Sequence, residues 1–377
     1  MSNGVYPIPD GQSVAMDAAR VFATFAVFLG HATRPDVLFD IDISLMGRAT
    51  IPLFLMLSAY LTARVMARGG RFLKRITRRY LSLYFVIVPA CCVLLASDLW
   101  LLSQHSVIIG NLKFDGDLSA FAIVRELFQA LTYSGEYWRL NTVSQGLFSN
   151  QAYWTLDYIM AYSALTAALY LLRGMRRILI VMALLVISGP TVLLLSPLWW
   201  MGVLSFEIHR RVGDADSCAK HPLRRFAMPM AFTGLALCIL IESSGTGEAL
   251  YRESKMWAAY EWRQYLGMAK RFAWQIALAP AIMLMLIASK YLITWQPSQR
   301  TITLSRLASQ YTLPVYATHF TLLYVMRSLI PDYQASHTSI DPYLMMSGAL
   351  ALTLLISWGC FRFLKSPADR FIVRVLS

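Results

Sequence analysis

The chain alternates between long apolar segments and short polar segments along its whole length of 377 residues. Nine apolar segments approach or reach the roughly 17–25 residues that a helix needs to cross a bilayer. They are Val14–His31, Ile43–Val65, Tyr80–Leu102, Tyr153–Leu172, Ile178–Leu195, Phe226–Ile241, Phe272–Leu292, Gln310–Ile330 and Tyr343–Leu364. A shorter tenth segment, Pro197–Ile208, must also cross if charge is to alternate between successive loops. The pattern predicts an all-α integral membrane protein, a polytopic bundle of about ten transmembrane helices.

Charge is segregated between successive loops. The basic clusters are Arg64–Arg79, Arg173–Arg177, Arg210–Arg225 and Arg362–Arg374. The acidic residues of the alternate loops are Asp36, Asp40, Asp42, Asp115, Asp117, Glu126, Glu136, Glu248, Glu253, Glu261, Asp332 and Asp341. Because basic loops of membrane proteins face the cytoplasm, both termini are predicted to be cytoplasmic.

The composition excludes an ordinary soluble domain. Hydrophobic residues make up 57% of the chain and charged residues only 15%, whereas soluble domains carry about 25% charged residues. The net charge of +13 would suggest nucleic acid binding in a soluble protein. Here the basic residues lie in short loops between spans, so no nucleic acid partner is expected. The five cysteines show no CxxC or metal-ligand spacing, and no metal is expected.

The chain reads as one transmembrane domain, residues 1–377. The first apolar segment carries Arg20 and no small-residue cleavage site, so it is predicted to be a retained span. Two longer segments predicted to be external, Ser103–Ala152 and Ser243–Leu266, are expected to shape a binding mouth.

Three ionisable residues lie in the first predicted span. Arg20 and His31 are eleven residues apart, which places them on one face of a helix and roughly 16 Å apart along its axis. Asp17 lies one turn before Arg20 on that face. Such residues within a span favour a functional role, with His31 as general base and Arg20 orienting an anionic group. The structural alternative is that Asp17 and Arg20 are interfacial and that His31 ends the span.

Four arginines follow a helical spacing before the third predicted span. Arg71, Arg75, Arg78 and Arg79 are at positions i, i+4, i+7 and i+8, which predicts one basic helix face at the cytoplasmic entry. Guanidinium groups bind phosphates in a bidentate manner, so this face could hold a phosphate-bearing donor. Ordinary positive-inside topology explains the same cluster.

Two later segments carry further candidates. Tyr316 and His319 lie in the ninth predicted span, where His319 is either a second polar wall of a site or a hydrogen-bonded structural histidine. Trp154 is either an interface anchor or a substrate platform.

Seven motifs, in this order, resemble those of the acyltransferase type 3 family of membrane acyltransferases over nearly the whole chain. They are MDAARVFATFAVFLGH, IPLFLMLSAYL, FLKRITRRYLSLY, YWTLDY, WWMGVLSFEIHRR, LPVYATHF and KSPADRF. In YWTLDY, Asp157 is the residue nearest to the acids that many members carry in this segment.

The resemblance implies an O-acyltransferase that transfers groups other than aminoacyl groups (EC 2.3.1.-). The expected reaction moves an acetyl or other acyl group from acyl-CoA to a sugar hydroxyl of a cell-surface or exported polysaccharide or glycolipid, as in exopolysaccharide biosynthesis. Acetyl-CoA or another acyl-CoA would be a co-substrate, with no bound cofactor. The other expected partners are a glycan or lipid-linked sugar and the lipids of the bacterial cytoplasmic (inner) membrane.

The same resemblance assigns expected roles to residues of this chain. The roles are catalytic for His31, Arg20 and Asp17, acyl-donor-binding for Arg75, Arg78, Arg79 and Arg71, and acceptor or pocket for Trp154, Asp157, Tyr316 and His319. The alternative function is a glycolipid or polysaccharide transporter or flippase, in which the buried charges line a translocation path.

Overall fold

The computed structural model describes residues 10–33, 44–103, 120–138, 149–150, 152–212, 221–257, 269, 272–329, 342–367 and 370–371. These residues are almost entirely helical, and they contain no β-strand. The helices are α1 (Asp10–Ala32), α2 (Ser44–Ala67), α3 (Phe72–Ser103), α4 (Ala120–Thr132), α5 (Trp154–Leu171), α6 (Gly174–Leu194), α7 (Ser196–Val212), α8 (Ala227–Ser243), α9 (Thr246–Trp257), α10 (Phe272–Leu292), α11 (Gln299–Ser328) and α12 (Pro342–Gly359). A short 3₁₀-helix, Pro222–Phe226, precedes α8, and a π-helical turn, Cys360–Lys365, follows α12.

Seven helical stretches are long and apolar enough to cross a membrane. They are Asp10–Ala32, Thr50–Ala67, Phe72–Leu101, Gly174–Leu194, Pro222–Ser243, Phe272–Leu292 and Leu344–Leu364. They match seven of the ten predicted spans, which confirms a multi-pass helical membrane protein. The count of ten and the cytoplasmic termini stay predictions, and much of the predicted acidic loops lies outside the described residues.

The other three predicted spans are also helices, α5, α7 and α11, and two of them lie inside the bundle. Fifteen of the 18 residues of α5 are buried, and α11 packs against α1, α3 and α12. The third, α7, has 17 residues and packs against α2 and α10. By contrast, only 22% of the apolar window of α6 and 11% of that of α8 are buried. A helix that contacts protein rather than lipid can carry polar side chains, such as Asp157 in α5 and His319 in α11.

Two helices begin earlier than their apolar segments. The third predicted span begins at Tyr80, but α3 begins at Phe72, so the basic segment before Tyr80 forms its first two turns. The ninth begins at Gln310, whereas α11 begins at Gln299, where the Ser298 side chain accepts a hydrogen bond from the Thr301 backbone N–H at 3.2 Å. The first extension carries Arg79 and the second carries Arg306.

Part of the segment predicted as an external loop is buried between helices. After α4, Tyr133 and Glu136 are 0% and 1% exposed. The Tyr133 ring lies 5.4 Å from that of Tyr80 and 5.8 Å from that of Tyr84, centroid to centroid. Tyr80 and Tyr84 follow the first residue of α3, Phe72, by eight and twelve positions. The turn therefore packs against α3 near the beginning of that helix, far from its last residue, Ser103.

The same turn is anchored to a break in α6. Gly189 has φ 76° and ψ 172°, and Pro190 follows it. Because proline has no N–H, the carbonyl of Val186 loses the donor that an uninterrupted helix would supply. The indole N–H of Trp138 donates to that carbonyl instead.

Two pairs of helices approach closely at a glycine. A Cβ atom on Gly202 of α7 would lie 2.3 Å from the Met56 carbonyl oxygen of α2. A Cβ atom on Gly234 of α8 would lie 2.5 Å from the Ala281 carbonyl oxygen of α10. Small residues permit this close backbone packing, which is common between membrane helices.

We expect Gly202→Ala to destabilise the bundle by about 1–3 kcal/mol, because the added methyl group must push α7 away from α2. The measurement is the thermal unfolding midpoint of the purified protein in detergent. Gly359→Ala is the matched control, because its Cβ would meet nothing within 4 Å. Equal midpoints for the two variants would contradict the close approach.

Candidate functional site

The polar residues of α1 face α11 at one end of the bundle. The Asp17 carboxylate lies 4.0 Å from the Arg20 guanidinium. Asp17 also accepts a hydrogen bond from Ser309 and interacts electrostatically with Arg306, both on α11. Asp17 and Arg20 are therefore neighbours, as predicted. Arg306 of α11 also interacts with Asp17, which the spacing within α1 could not predict.

Arg79 of α3 points into the bundle toward the same region. Its guanidinium interacts electrostatically with Arg20 and with the Tyr133 hydroxyl. The Nε atom of Arg79 is buried and has no hydrogen-bond partner within the described ranges. Of the four arginines predicted to bind a donor, Arg79 is the one that extends the Arg20 neighbourhood.

Arg64 of α2 completes a group of four arginines, which we call the guanidinium cluster: Arg20, Arg64, Arg79 and Arg306. Arg64 interacts electrostatically with Arg306, and its Nε atom, like that of Arg20, is buried with no hydrogen-bond partner among the described residues. The sequence placed Arg64 only in a basic loop and gave no signal for Arg306. Bringing them together requires the packing of α2 and α11 against α1.

Among the described residues, the guanidinium cluster has more positive charge than negative charge. Asp17 interacts with Arg20 and Arg306, whereas the interactions of Arg64 and Arg79 within the described ranges are with other arginines and with tyrosines. Burying a cation without a counter-charge costs free energy, and like charges in a medium of low dielectric constant repel each other. Both costs fall when a polyanion binds, so the cluster has the chemistry of an anion site.

The other predicted donor-binding arginines lie differently. The Arg75 Nε atom donates to the Gly69 backbone carbonyl at 3.0 Å, so part of this side chain closes the turn between α2 and α3. Arg71 and Arg78 are exposed on the surface. The predicted single basic face is thus divided, with Arg79 directed inward and Arg71 and Arg78 outward.

At the other end of α1, His31 meets His319 of α11. The two ring centroids are 5.3 Å apart with an interplanar angle of 35°, and we call them the histidine pair. The Phe320 ring packs edge-on against His31 at 4.6 Å, and Phe28 lies 6.2 Å from His319. The sequence predicted both histidines as candidates but could not predict that they are neighbours.

The hydrogen bonds of His319 assign its neutral tautomer. Nδ1 lies 3.0 Å from the Tyr316 carbonyl oxygen and 3.2 Å from that of Val315, so Nδ1 carries the proton and donates to them. Nε2 then carries a lone pair. It is buried and has no hydrogen-bond partner within the part of the chain that the structure describes.

An ordered segment before α5 holds the His319 region of α11. The Asn150 side-chain amide donates to the Ala317 carbonyl at 2.6 Å, and the hydroxyls of Ser149 and Thr321 are 2.6 Å apart. The Ser149 backbone N–H donates to the Asp98 carboxylate at 2.9 Å. Ser149 and Asn150 were missed from the sequence, because short polar residues in a long external segment resemble any loop. Asp98 lies within the predicted span Tyr80–Leu102 and was not singled out.

The remaining predicted pocket residues have clear structural contacts. Trp154 is buried and packs edge-on against Tyr158 at 5.1 Å. The Asp157 carboxylate accepts the Glu136 backbone N–H at 3.1 Å. The Tyr316 ring stacks on Phe54, with centroids 5.5 Å apart, and its hydroxyl is hydrogen bonded to Thr155. Of this set, Tyr316 lies beside the histidine pair, with its ring 5.7 Å from that of His319.

Two tyrosines of the buried turn remain protonated near Asp157. Burial raises the pKa of the Tyr133 and Tyr137 hydroxyls above their ordinary range, and the neighbouring Asp157 charge raises both pKa values further. A protonated hydroxyl at Tyr133 is a neutral neighbour for the Arg79 guanidinium. The turn therefore adds polarity beside the guanidinium cluster without neutralising its charge.

The guanidinium cluster and the histidine pair are joined by the length of α1. Arg20 and His31 are separated by a rise of roughly 16 Å along the helix. A surface pocket of about 460 Å³, lined by His221, Pro222, Arg224 and Arg225, lies beside the start of α8. The two groups of candidate residues are the guanidinium cluster and the histidine pair, at two levels along α1.

Comparison with known proteins assigns the family. A family model described as an acyltransferase domain, the type 3 acyltransferase model, matches residues 13–362. No curated protein and no solved structure matches the chain. The match covers nearly the whole chain, including α1, the guanidinium cluster and the histidine pair. This protein therefore belongs to the acyltransferase type 3 family and is a multi-pass membrane acyltransferase.

Proposed function

We propose that this protein is an O-acyltransferase (EC 2.3.1.-) that moves an acyl group, with acetyl expected, from acyl-CoA to a sugar hydroxyl. The acceptor is a cell-surface or exported polysaccharide or its glycolipid precursor, and the enzyme acts in the bacterial cytoplasmic membrane. The observation that carries the proposal is the guanidinium cluster at one end of α1 and the histidine pair at the other.

The guanidinium cluster is the proposed site for the phosphates of the donor. Acyl-CoA carries a diphosphate and a further phosphate, and such a polyanion supplies the negative charge that Asp17 alone does not. Arg71 and Arg78, which are exposed before Arg79 on α3, attract the donor to the entrance. Arg75 shapes that entrance through its bond to Gly69.

The histidine pair is the proposed site of acyl transfer. In the donor, the thioester lies at the end of an extended arm, and such an arm can cover the roughly 16 Å rise from Arg20 to His31. His31 either takes the proton of the acceptor hydroxyl or carries the acyl group transiently. Arg20, with Asp17 limiting its charge, orients the donor.

The acceptor is proposed to reach the histidine pair from the opposite side of the membrane to the donor. Basic loops predict which ends of the helices are cytoplasmic, and by that topology His31 lies near the external end of α1. Tyr316 and His319 are the proposed wall of the acceptor pocket. Trp154 and Asp157 are proposed to support that wall from the first turn of α5, which also carries Thr155, the hydrogen-bond partner of Tyr316.

We expect CoA to raise the thermal unfolding midpoint of the wild-type protein, because binding stabilises the folded state. Arg79→Gln and Arg64→Gln should each weaken CoA binding about tenfold or more, since a charge-assisted hydrogen bond contributes about 1.5–3 kcal/mol. Arg176→Gln removes an exposed arginine from another basic cluster and is the matched control. If Arg79→Gln and Arg176→Gln bind CoA equally well, the guanidinium cluster is not the donor site.

We expect purified protein in lipid to consume radiolabelled acetyl-CoA and to transfer the label to a glycolipid extract. His31→Ala should abolish transfer while leaving CoA binding intact, because His31 lies at the other end of α1 from the guanidinium cluster. The measurement follows label on protein, on glycolipid and in water. CoA binding without any thioester consumption by the folded wild type would favour the transporter or flippase instead.

A further inference from the structure

One of the two ring nitrogens of His319 fixes the orientation of its imidazole through hydrogen bonds. Nδ1–H donates to the carbonyls of Tyr316 and Val315 within α11. The ring is therefore fixed relative to the helix, and the side chain as a whole is 1% exposed. What remains is the Nε2 lone pair, for which no hydrogen-bond partner lies among the described residues.

A histidine with a purely structural role would normally have both nitrogens hydrogen bonded. Leaving a buried polar atom without a partner costs free energy, so buried unsatisfied atoms are rare and often mark functional positions. Here the unsatisfied atom is Nε2 of His319, and the centroid of the His319 ring lies 5.3 Å from that of the His31 ring. The unsatisfied acceptor and the proposed catalytic histidine are thus in one place.

Neighbouring residues hold the part of α11 that carries His319. Asn150 and Thr155 hydrogen bond to α11 one turn or less from His319, and Ser149 bonds Thr321 just after it. Phe320 packs edge-on against His31. A base needs this rigidity, because proton transfer requires its lone pair to lie within hydrogen-bond distance of the substrate proton.

We propose that His319 is a second catalytic residue, whose Nε2 accepts the proton of the acceptor hydroxyl during acyl transfer. The inference rests on the proposed function. It assigns the proton to His319, and the role of His31 is to contact or to carry the acyl group.

Bonds and protons balance whether the acyl group comes directly from the thioester or from a His31 nitrogen that carries it. The acceptor oxygen forms a bond to the acyl carbon, and the bond from that carbon to the leaving group breaks, the leaving group being the thioester sulfur or a His31 nitrogen. The hydroxyl proton moves to His319 Nε2 and from there to the leaving group. Both imidazoles are neutral before and after the step, which avoids two like charges 5.3 Å apart.

The test compares His319→Gln and His319→Ala with wild type in proteoliposomes that contain a glycolipid acceptor. A glutamine amide can still donate to the helix carbonyls, but it is not a base. We therefore expect both variants to lower kcat for label transfer about 10²–10⁴-fold. The CoA affinity and the thermal unfolding midpoint of the Gln variant should stay close to wild type. His221→Gln, in the surface pocket, is the control and should keep full activity.

The outcomes separate the two proposals. If His319→Gln keeps activity within about threefold of wild type while His319→Ala loses it, His319 has a structural role and this inference is wrong. If wild type itself consumes no thioester, the proposed function fails and the inference fails with it. Loss of transfer in both variants, with CoA binding retained, supports His319 as the base.

Discussion

The energetic cost of buried positive charge organises this structure. Arg20, Arg64 and Arg79 each bury a guanidinium nitrogen that has no hydrogen-bond partner within the described ranges, and the Asp17 carboxylate lies beside Arg20. In a medium of low dielectric constant such an arrangement is expensive unless a binding partner supplies negative charge. The apolar windows of the helices that carry these side chains, α1, α2 and α3, are 39%, 61% and 28% buried, compared with 22% for α6 and 11% for α8. The candidate polyanion site therefore lies on the more buried helices of the bundle.

Helix α1 carries residues of both the guanidinium cluster and the histidine pair. One face holds Asp17 and Arg20 at one level and His31 about three turns further along. Because α11 packs along α1, it provides a partner at each level, Arg306 and Ser309 at the first and His319 at the second. Asn150, before α5, and Thr155, in the first turn of α5, are hydrogen bonded to Ala317 and Tyr316 of α11. The packing of α1 against α11 therefore sets the distance between the guanidinium cluster and the histidine pair.

The sequence predicted the class of protein, seven of its spans and the residues of α1, because hydropathy and helical periodicity are local properties. It also singled out His319, but not its contact with His31, since that contact depends on how α1 and α11 pack. Arg64 and Arg306 were missed for the same reason. The single basic face predicted for Arg71–Arg79 is not observed, because Arg79 is directed into the bundle while Arg71 and Arg78 are exposed. Periodicity within one helix does not predict which of its residues neighbouring helices cover. Asn150 was missed because its partner is a backbone carbonyl distant in the sequence. Asp98 was not singled out, although an acid within a predicted span is a candidate by its position alone.

The most direct test of this account is a structure of the protein with a non-hydrolysable acyl-CoA analogue in which a thioether replaces the thioester. The account predicts that the phosphates contact the guanidinium cluster, including Arg79 and Arg64, and that the sulfur lies beside His31 and His319. An analogue held only by the exposed Arg71 and Arg78, with its sulfur away from both histidines, would contradict it.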